Sequence, residues 1–394
     1  MRKVYLDYSA TTPLDECVFE AMKPYFTEKF GNANSLHCFG REGANAVDAA
    51  RRKIAELLKV KPTEIYFTSG GTESDNWALK GIASAYSQKG KRIIVSSIEH
   101  AAMLASAEQL EKSGYDVVYL PVNDMGVVLP EYLEKAITDD TSLVSVMAAN
   151  NEIGTLQPIK ELCEIAHRHG ALFHTDAVQA MGSVPVDIRG WNVDLLTFSA
   201  HKFYGPKGIG ALYIKSGIKP DKFVTGGHQE RSMRGGTTNV PAVVGMAEAL
   251  KLALDNLEDN SSKVKELRDY FVKSIEQRVP YVVYNGDRLH RLPQNANFAF
   301  EFIEGESLLL RLDMAGIACS SGSACSSGSL DPSHVLLATG LPIEKAHGSI
   351  RFSFGKYTTK EDVDYVIEQV VKAVEDLRKL SPLFSEFKGE KQYV

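Results

Sequence analysis

The sequence predicts an α/β protein, a mostly parallel sheet covered by helices with a smaller α+β domain attached, and three observations carry that expectation. Short apolar runs of strand length alternate with amphipathic stretches of helix length, the pattern of repeated strand, helix, strand units. The rhythm changes after Gly226, where a long helical stretch gives way to mixed helices and strands. The chain has 394 residues, 44% of them hydrophobic, which suffices for two or three structural units around sizeable cores.

In order along the chain, residues 64–68 read as a strand followed by a helix over about 72–87, and 92–96 as a strand followed by a helix over about 101–113. Residues 117–120 precede a helix around 131–137, and 143–147 precede one over 160–169. Two more buried strands, 171–176 and 193–199, stop on Asp176 and Ser199. In such sheets the site lies beyond the carboxyl ends of the strands. A helix over about 241–257 leads into Glu258-Asp259-Asn260-Ser261-Ser262, the expected domain boundary, and 296–300 and 349–353 read as strands of the second unit. The expected division is a large domain over 15–258 and a small one built from 1–14 and 259–394.

Charge narrows the function classes. The 44 basic and 50 acidic residues give a net charge of −6 and are interspersed, so neither a nucleic-acid nor a membrane-surface partner is expected. The N-terminal residues Arg2 and Lys3 are followed by no apolar signal region, and no apolar run approaches membrane-spanning length, so the expected location is cytoplasmic. Five scattered cysteines, Cys17, Cys38, Cys163, Cys319 and Cys325, argue against a disulfide scaffold and leave room for one reactive thiol.

Lys202 follows a buried strand in Phe198-Ser199-Ala200-His201-Lys202, and the Gly205-Pro206-Lys207-Gly208 beyond it cannot continue a helix, so it is expected on a loop. Asp176 ends another strand, and the loop after it carries Gln179. A lysine and an acid at neighbouring strand ends suit pyridoxal phosphate. The amine holds the aldehyde as a Schiff base, and the carboxylate keeps the pyridinium nitrogen protonated as an electron sink. Taken singly, Lys202 reads as a solvated loop lysine and Asp176 as a helix cap. Thr68-Ser69-Gly70-Gly71-Thr72-Glu73-Ser74 joins a strand to a helix with glycines that let amides approach an anion, or is simply a tight turn. Ser199 and His201 are placed to donate hydrogen bonds beside it. His100, at the end of a third strand, is either a ring that stacks on a cofactor and exchanges protons or a helix-start histidine.

These segments, with Tyr5-Leu6-Asp7-Tyr8-Ser9-Ala10-Thr11-Thr12-Pro13, Asn150-Asn151-Glu152-Ile153-Gly154-Thr155, Arg234-Gly235-Gly236-Thr237, Ser320-Ser321-Gly322-Ser323-Ala324-Cys325 and Ser349-Ile350-Arg351-Phe352-Ser353, resemble the NifS/IscS-type cysteine desulfurases, class-V aminotransferases among the fold-type I pyridoxal phosphate enzymes. The resemblance covers essentially the whole chain in family order. It implies a fold-type I transferase with a mostly parallel seven-stranded sheet in its large domain, and a homodimer. By similarity Lys202 is the Schiff-base lysine, Asp176 the pyridinium partner and His100 the stacking imidazole. Gln179 and Asn151 meet the ring hydroxyl side, and Gly71, Thr72, Ser199 and His201 hold the phosphate with Thr237 from the other subunit. Arg351, with Asn151 nearby, grips the α-carboxylate of L-cysteine.

Cys325 chooses the reaction. It lies in a small-residue stretch, about 319–332, expected to be mobile and to expose the thiol, and it matches the long catalytic loop of the family; the related SufS-type enzymes have a shorter one. The resemblance implies that Cys325 takes sulfur from cysteine as a persulfide, leaving alanine, and passes it on for iron–sulfur cluster assembly or other thiolation. It implies an IscU/NifU-like scaffold or another acceptor as partner, no resident metal, and at most transient ligation of a cluster by Cys325. Selenocysteine lysis, transamination and a catalytically idle cluster scaffold are the competing readings; the intact Lys202, Asp176 and His100 speak against the last. Gly71 stands where the family commonly has alanine, Gly235 where it has serine, and Gly226-Gly227-His228 where it has three glycines. Cys319 reads as a core cysteine or as a second thiol. The tail over 381–388 follows the family and then stops at Val394, without the extension by which some relatives dock a scaffold.

Overall fold

The computed structural model describes residues 2–321 and 332–391. After the short strand β1 (Val4–Tyr5), seven strands form the principal sheet. These are β2 (Ile65–Thr68), β3 (Arg92–Ser96), β4 (Asp116–Leu120), β5 (Thr141–Ser145), β6 (Leu172–Asp176), β7 (Leu195–Ser199) and β8 (Gly210–Ile214). Their spatial order is β2-β8-β7-β6-β5-β3-β4, and β8 alone runs against its neighbours, so β2 and the other five strands deliver their carboxyl ends to one edge. Strands β5, β7 and β8 are buried on both faces. Two apolar clusters flank the sheet, one around Ile94, Phe173 and Phe198 and the other around Trp77, Ile93 and Leu195.

The helices fall within a residue or two of the expected spans: Gly71–Ala85, Ala101–Lys112, Pro130–Ala136, Ile159–Arg168 and Val240–Asp255. A helix over Cys38–Leu57 covers the first cluster as well. Residues 258–262, expected as a boundary, are instead the first turns of the helix Leu257–Arg278. The cause is legible in retrospect. Val264, Arg268, Phe271, Val272 and Ile275 form one buried face, and Glu258 and Asp259 sit where acids favour a helix N-terminus.

A four-stranded antiparallel sheet follows, β9 (Val282–Tyr284), β10 (Asn295–Phe300), then β11 (Ile317–Ala318) paired parallel with β1, then β12 (Ser320–Ser321) and β13 (Ser349–Ser353), in the sheet order β12-β13-β10-β9. Phe271, Phe298, Phe352 and Phe354 make its core with Val4 and Leu6 from the N-terminus. Leu292, Val335, Leu336 and Ala346 depart from this core and pack in the cluster beneath the principal sheet. None of the helices among the described residues is long and apolar enough to cross a membrane.

Candidate active site

The strand register assembles the site from the backbone outward. Thr68 and Ser199 both pair with Gly210, so the turn after β2 and the turn after β7 emerge side by side. Asp176 is opposite Thr197 on the next strand. A Cβ built on Gly71 would fall 2.9 Å from Val178 Cγ2 and 3.9 Å from Ser199 Cβ, which places the glycine turn, the Asp176 turn and Ser199 around one hollow. The same number accounts for glycine at 71, where a methyl would press on Val178.

Lys202 ends a single 3-10 turn, Ala200–Lys202, rather than lying on an open loop. The turn is fixed by Gly205 N donating to Ala200 O at 2.9 Å and by Tyr204, whose φ of 65° is left-handed. Lys202 Nζ donates to the carbonyls of Ser9 (2.5 Å) and Ala10 (2.8 Å), so it is not a solvated loop lysine. Gln179 Nε2 donates to the same Ser9 carbonyl at 2.9 Å. His201 Nδ1 meets Thr11 Oγ1 at 3.1 Å, and its carbonyl accepts from Thr12 N and Oγ1. Burial, aided by the charges of Lys202 and Lys207, pulls His201 down to about 4, so the ring is neutral at physiological pH. The N-terminal segment over 9–12 is thus laced onto the lysine turn, a role its sequence did not announce.

Asp176 is 5% exposed. Its Oδ1 accepts from Val178 N at 2.8 Å. Burial pushes its carboxyl up, against the pull of that N–H and of the nearby charges of His100 and Lys202. Two further acids share the space. Asp75, from the inner face of the helix after the glycine turn, is held well above the carboxylate range by burial and by Asp176. Glu99 is pushed up to about 8 by burial, although Ser96 Oγ (2.5 Å) and Met147 N (2.7 Å) donate to its Oε1. Asp75 Oδ1 and Glu99 Oε2 have no hydrogen-bond partner. His174 beneath them is held neutral, at about 3, by burial, with Ser145 Oγ at 2.8 Å and Thr197 Oγ1 at 3.0 Å on its two nitrogens.

His100 caps its helix, Nδ1 accepting from Ala102 N at 3.1 Å, and lines a cavity with Glu99, Asn151, Glu152 and His334. The helix-start reading of this histidine is therefore met through Nδ1. Arg351, on β13, is almost fully buried; it donates from Nη1 to Asn151 O and from Nη2 to Asp7 Oδ1, both at 2.9 Å, while Nε has no partner. Glu152, next to Asn151, is raised to about 7 by burial against the charges of Arg351 and His100, and Ser333 Oγ donates to it. The acids Asp75, Glu99 and Glu152 were not anticipated as site residues.

The arrangement brings together Gly71, Thr72, His100, Asn151, Asp176, Gln179, Ser199, His201, Lys202 and Arg351 at the edge where β2, β3, β5, β6 and β7 end. Thr72 is exposed at the head of its helix. Thr237 is also exposed, on the separate segment that precedes Val240–Asp255. Cys325 lies outside the described residues. Cys319 packs against the core of the second unit, where burial raises its thiol, which fits a core cysteine. Cys163, His167 and Asp194 resemble a catalytic triad, but the sulfur lies 3.8–3.9 Å from both ring nitrogens, donates to Asn192 O, and is raised by burial to about 12. Such a thiol is no nucleophile.

A lysine, a buried acid and an anion-ready turn at one sheet edge define a class, and the comparisons agree with it. The family model described as aminotransferase class-V matches residues 4–366, and the chain belongs to that family. Among its relatives are proteins named Cysteine desulfurase IscS from Dictyoglomus turgidum, 53% identical over 391 residues and 99% of each chain, and from Clostridium botulinum, 52% identical over 393 residues and 99% of each chain. A solved structure titled NifS-like protein superposes with a TM-score of 0.90 at 39% identity, covering 95% of this chain and all of that one.

Proposed function

We propose that this protein is a pyridoxal phosphate-dependent cysteine desulfurase that moves the sulfur of L-cysteine to Cys325. The observation that carries the reading is the convergence of Lys202, the buried Asp176 and the Ser69–Thr72 turn, within a chain about half identical to proteins named Cysteine desulfurase IscS along its full length. The residues present fit the cofactor. Lys202 would hold its aldehyde carbon, Asp176 its ring nitrogen, Gln179 and Asn151 its hydroxyl side, and Gly71, Thr72, Ser199 and His201 its phosphate. When bound, the cofactor supplies an electron sink that loosens bonds at the substrate α-carbon.

The chain's own groups account for the rest. Asp176, crowded by Asp75 and Glu99 without a guanidinium, is an anion whose cost falls when a cation faces it, which favours a protonated ring nitrogen there. Lys202 Nζ donates to the carbonyls of Ser9 and Ala10 at the edge where Asp176 lies, and its amine would reach a carbonyl carbon and move protons. Arg351 would take the α-carboxylate on donors that Asp7 and Asn151 leave open. His100, whose Nδ1 is committed to the cap, would exchange a proton through Nε2.

Overall the carbon–sulfur bond of L-cysteine breaks, a sulfur–sulfur bond forms at Cys325, and the alanine methyl receives a proton. An acceptor protein, an IscU/NifU-like scaffold or another thiolation partner, would then take the sulfur.

A homodimer is part of the reading. Phe19, Phe26, Phe30, Leu36 and Phe39 are exposed within one short stretch, Phe30 stacking on Phe39, and a second copy would cover them and bring its Thr237 to the phosphate. The separate apolar clusters support a division near 15–258 against 1–14 with 259–394, with residues 335–346 lent to the large core. The free thiols of Cys17, Cys38, Cys163 and Cys319 fit a reducing, cytoplasmic setting.

The test is a peptide mass measurement after exposure to L-cysteine. The peptide holding Cys325 should gain one sulfur atom, and Lys202→Ala should lose both that gain and the yellow cofactor colour. A sulfur gain on Cys17, Cys38 or Cys319 with Cys325 unchanged would sink the assignment.

A further inference from the structure

We propose that Arg234 and Glu73 are positioning residues for the phosphate end of the site, the guanidinium neutralising a carboxylate that the fold sets inside the very turn meant to receive an anion. The inference rests on the reading of Ser69–Thr72 as the phosphate turn and goes beyond it to residues that need not touch the phosphate.

Glu73 is the third residue of the helix Gly71–Ala85. Its Oε2 accepts from Ser69 N at 2.8 Å, closing the turn from the inside. The first N–H groups of a helix have no partner within it, and the helix dipole favours negative charge there. Glu73 and an incoming phosphate would therefore compete for one electropositive end. A carboxylate at that spot, left to itself, would repel the ligand.

Arg234 resolves the competition from 161 residues away. Its Nε donates to Glu73 Oε1 at 2.8 Å and its Nη2 to Oε2 at 2.9 Å, so both oxygens of the acid are engaged and Oε2 is shared with Ser69 N. Burial alone would raise Glu73, but Arg234 and Ser69 hold it below the usual range, and Arg234 is itself raised by the pair. The side chains are only 10% and 22% exposed. The pair adds no net charge to the turn, and the N–H groups of Gly71 and Thr72 stay free to meet a phosphate.

Arg234 is delivered by a segment whose backbone is secured at both ends. Gly235 N donates to Val224 O at 2.9 Å, and a Cβ on Gly235 would fall 2.7 Å from Gly226 Cα, so the two strands of this loop touch through glycine. The contact accounts for glycine at 235. On the other side, Glu230 takes two hydrogen bonds from Arg51 (2.8 and 2.6 Å) and one from Phe67 N, while Glu230, Arg231 and Ser232 all have left-handed φ (44°, 56° and 65°). The guanidinium is thus presented by an anchored segment that leads directly to Thr237.

The test compares binding of pyridoxal phosphate with that of pyridoxal, which lacks the phosphate, to the cofactor-stripped full-length protein by equilibrium dialysis. Arg234→Ala should weaken pyridoxal phosphate about tenfold and leave pyridoxal within about twofold, because only the phosphate feels the exposed Glu73 charge. Adding Glu73→Gln to Arg234→Ala should recover most of the lost affinity. Equal weakening of both ligands, or a double variant no tighter than Arg234→Ala, overturns the proposal and leaves the pair with a purely structural role. If the unaltered protein does not prefer pyridoxal phosphate over pyridoxal, the phosphate-turn reading itself fails, an outcome distinct from the first two and one that takes this proposal down with it.

Discussion

Two sets of buried acids in this molecule are treated in opposite ways. Glu73 and Glu230 are each gripped by the two-pronged fork of an arginine, Arg234 and Arg51, and by a backbone N–H. Asp75, Glu99 and Asp176 sit deeper, share one another's field, and have no guanidinium on them; Asp75 and Glu99 each keep an oxygen without a partner. The first arrangement satisfies charge within the fold and holds a segment in place. The second leaves negative potential unspent at a sheet edge, which is the condition for binding a cationic ring from outside. The arginine-clamped Glu73 and Glu230 hold backbone segments in place, and the unclamped Asp75, Glu99 and Asp176 gather at the sheet edge.

The largest effect that would break this contrast is at Asp176. Asp176→Asn should lower turnover of L-cysteine on the order of a hundredfold or more, since the ring nitrogen loses its anion, while the thermal stability of the cofactor-free protein holds or rises. A marked loss of stability instead would place Asp176 with the architectural acids. Glu230→Gln should do the reverse. Leaving the buried Arg51 guanidinium without its counter-charge should cost about 3–5 kcal/mol of stability by denaturant titration, with turnover per folded molecule little changed at saturating pyridoxal phosphate.

A smaller effect sharpens the contrast through pH. Glu99 is held at about 8 in the fold against an ordinary value of 4.5, so folding takes up a proton. Its contribution is intact below the unfolded value and is lost as pH rises through 5 to 8. Melting curves of wild type and Glu99→Gln should therefore lie close together at pH 5 and separate towards pH 8, with the variant the more stable. A constant gap across that range would mean that Glu99 is not desolvated as described.

How much of this was legible in the sequence follows from the same physics. Asp176 and Ser199 could be placed because each closes a run long enough to be a buried strand, with Lys202 in the turn just after Ser199, and strand ends of an α/β sheet gather at one edge. The roles of Arg351, Asn151 and Thr237 came only through the family resemblance, since an arginine on a strand carries no local signal of what it binds. Asp75, Glu99 and Glu152 escaped altogether. An acid on a helix or loop looks solvated in a sequence, and only the packing of the helix Gly71–Ala85 on β5, β6 and β7 shows that the Asp75 face is inward. That residues 258–262 are helical rather than a linker escaped the sequence for a related reason. Acids and serines that commonly mark linkers also make good first turns, and the buried face that decides between them begins only at Val264.

The account stands most directly on the identity of the sulfur-accepting thiol, and the measurement is alanine release from L-cysteine by Cys325→Ala. The protein should keep its yellow cofactor, still bind L-cysteine as seen by a change in the cofactor's visible absorption, and release no alanine above background. Alanine formation at the wild-type rate in Cys325→Ala would contradict the transfer of sulfur to that residue.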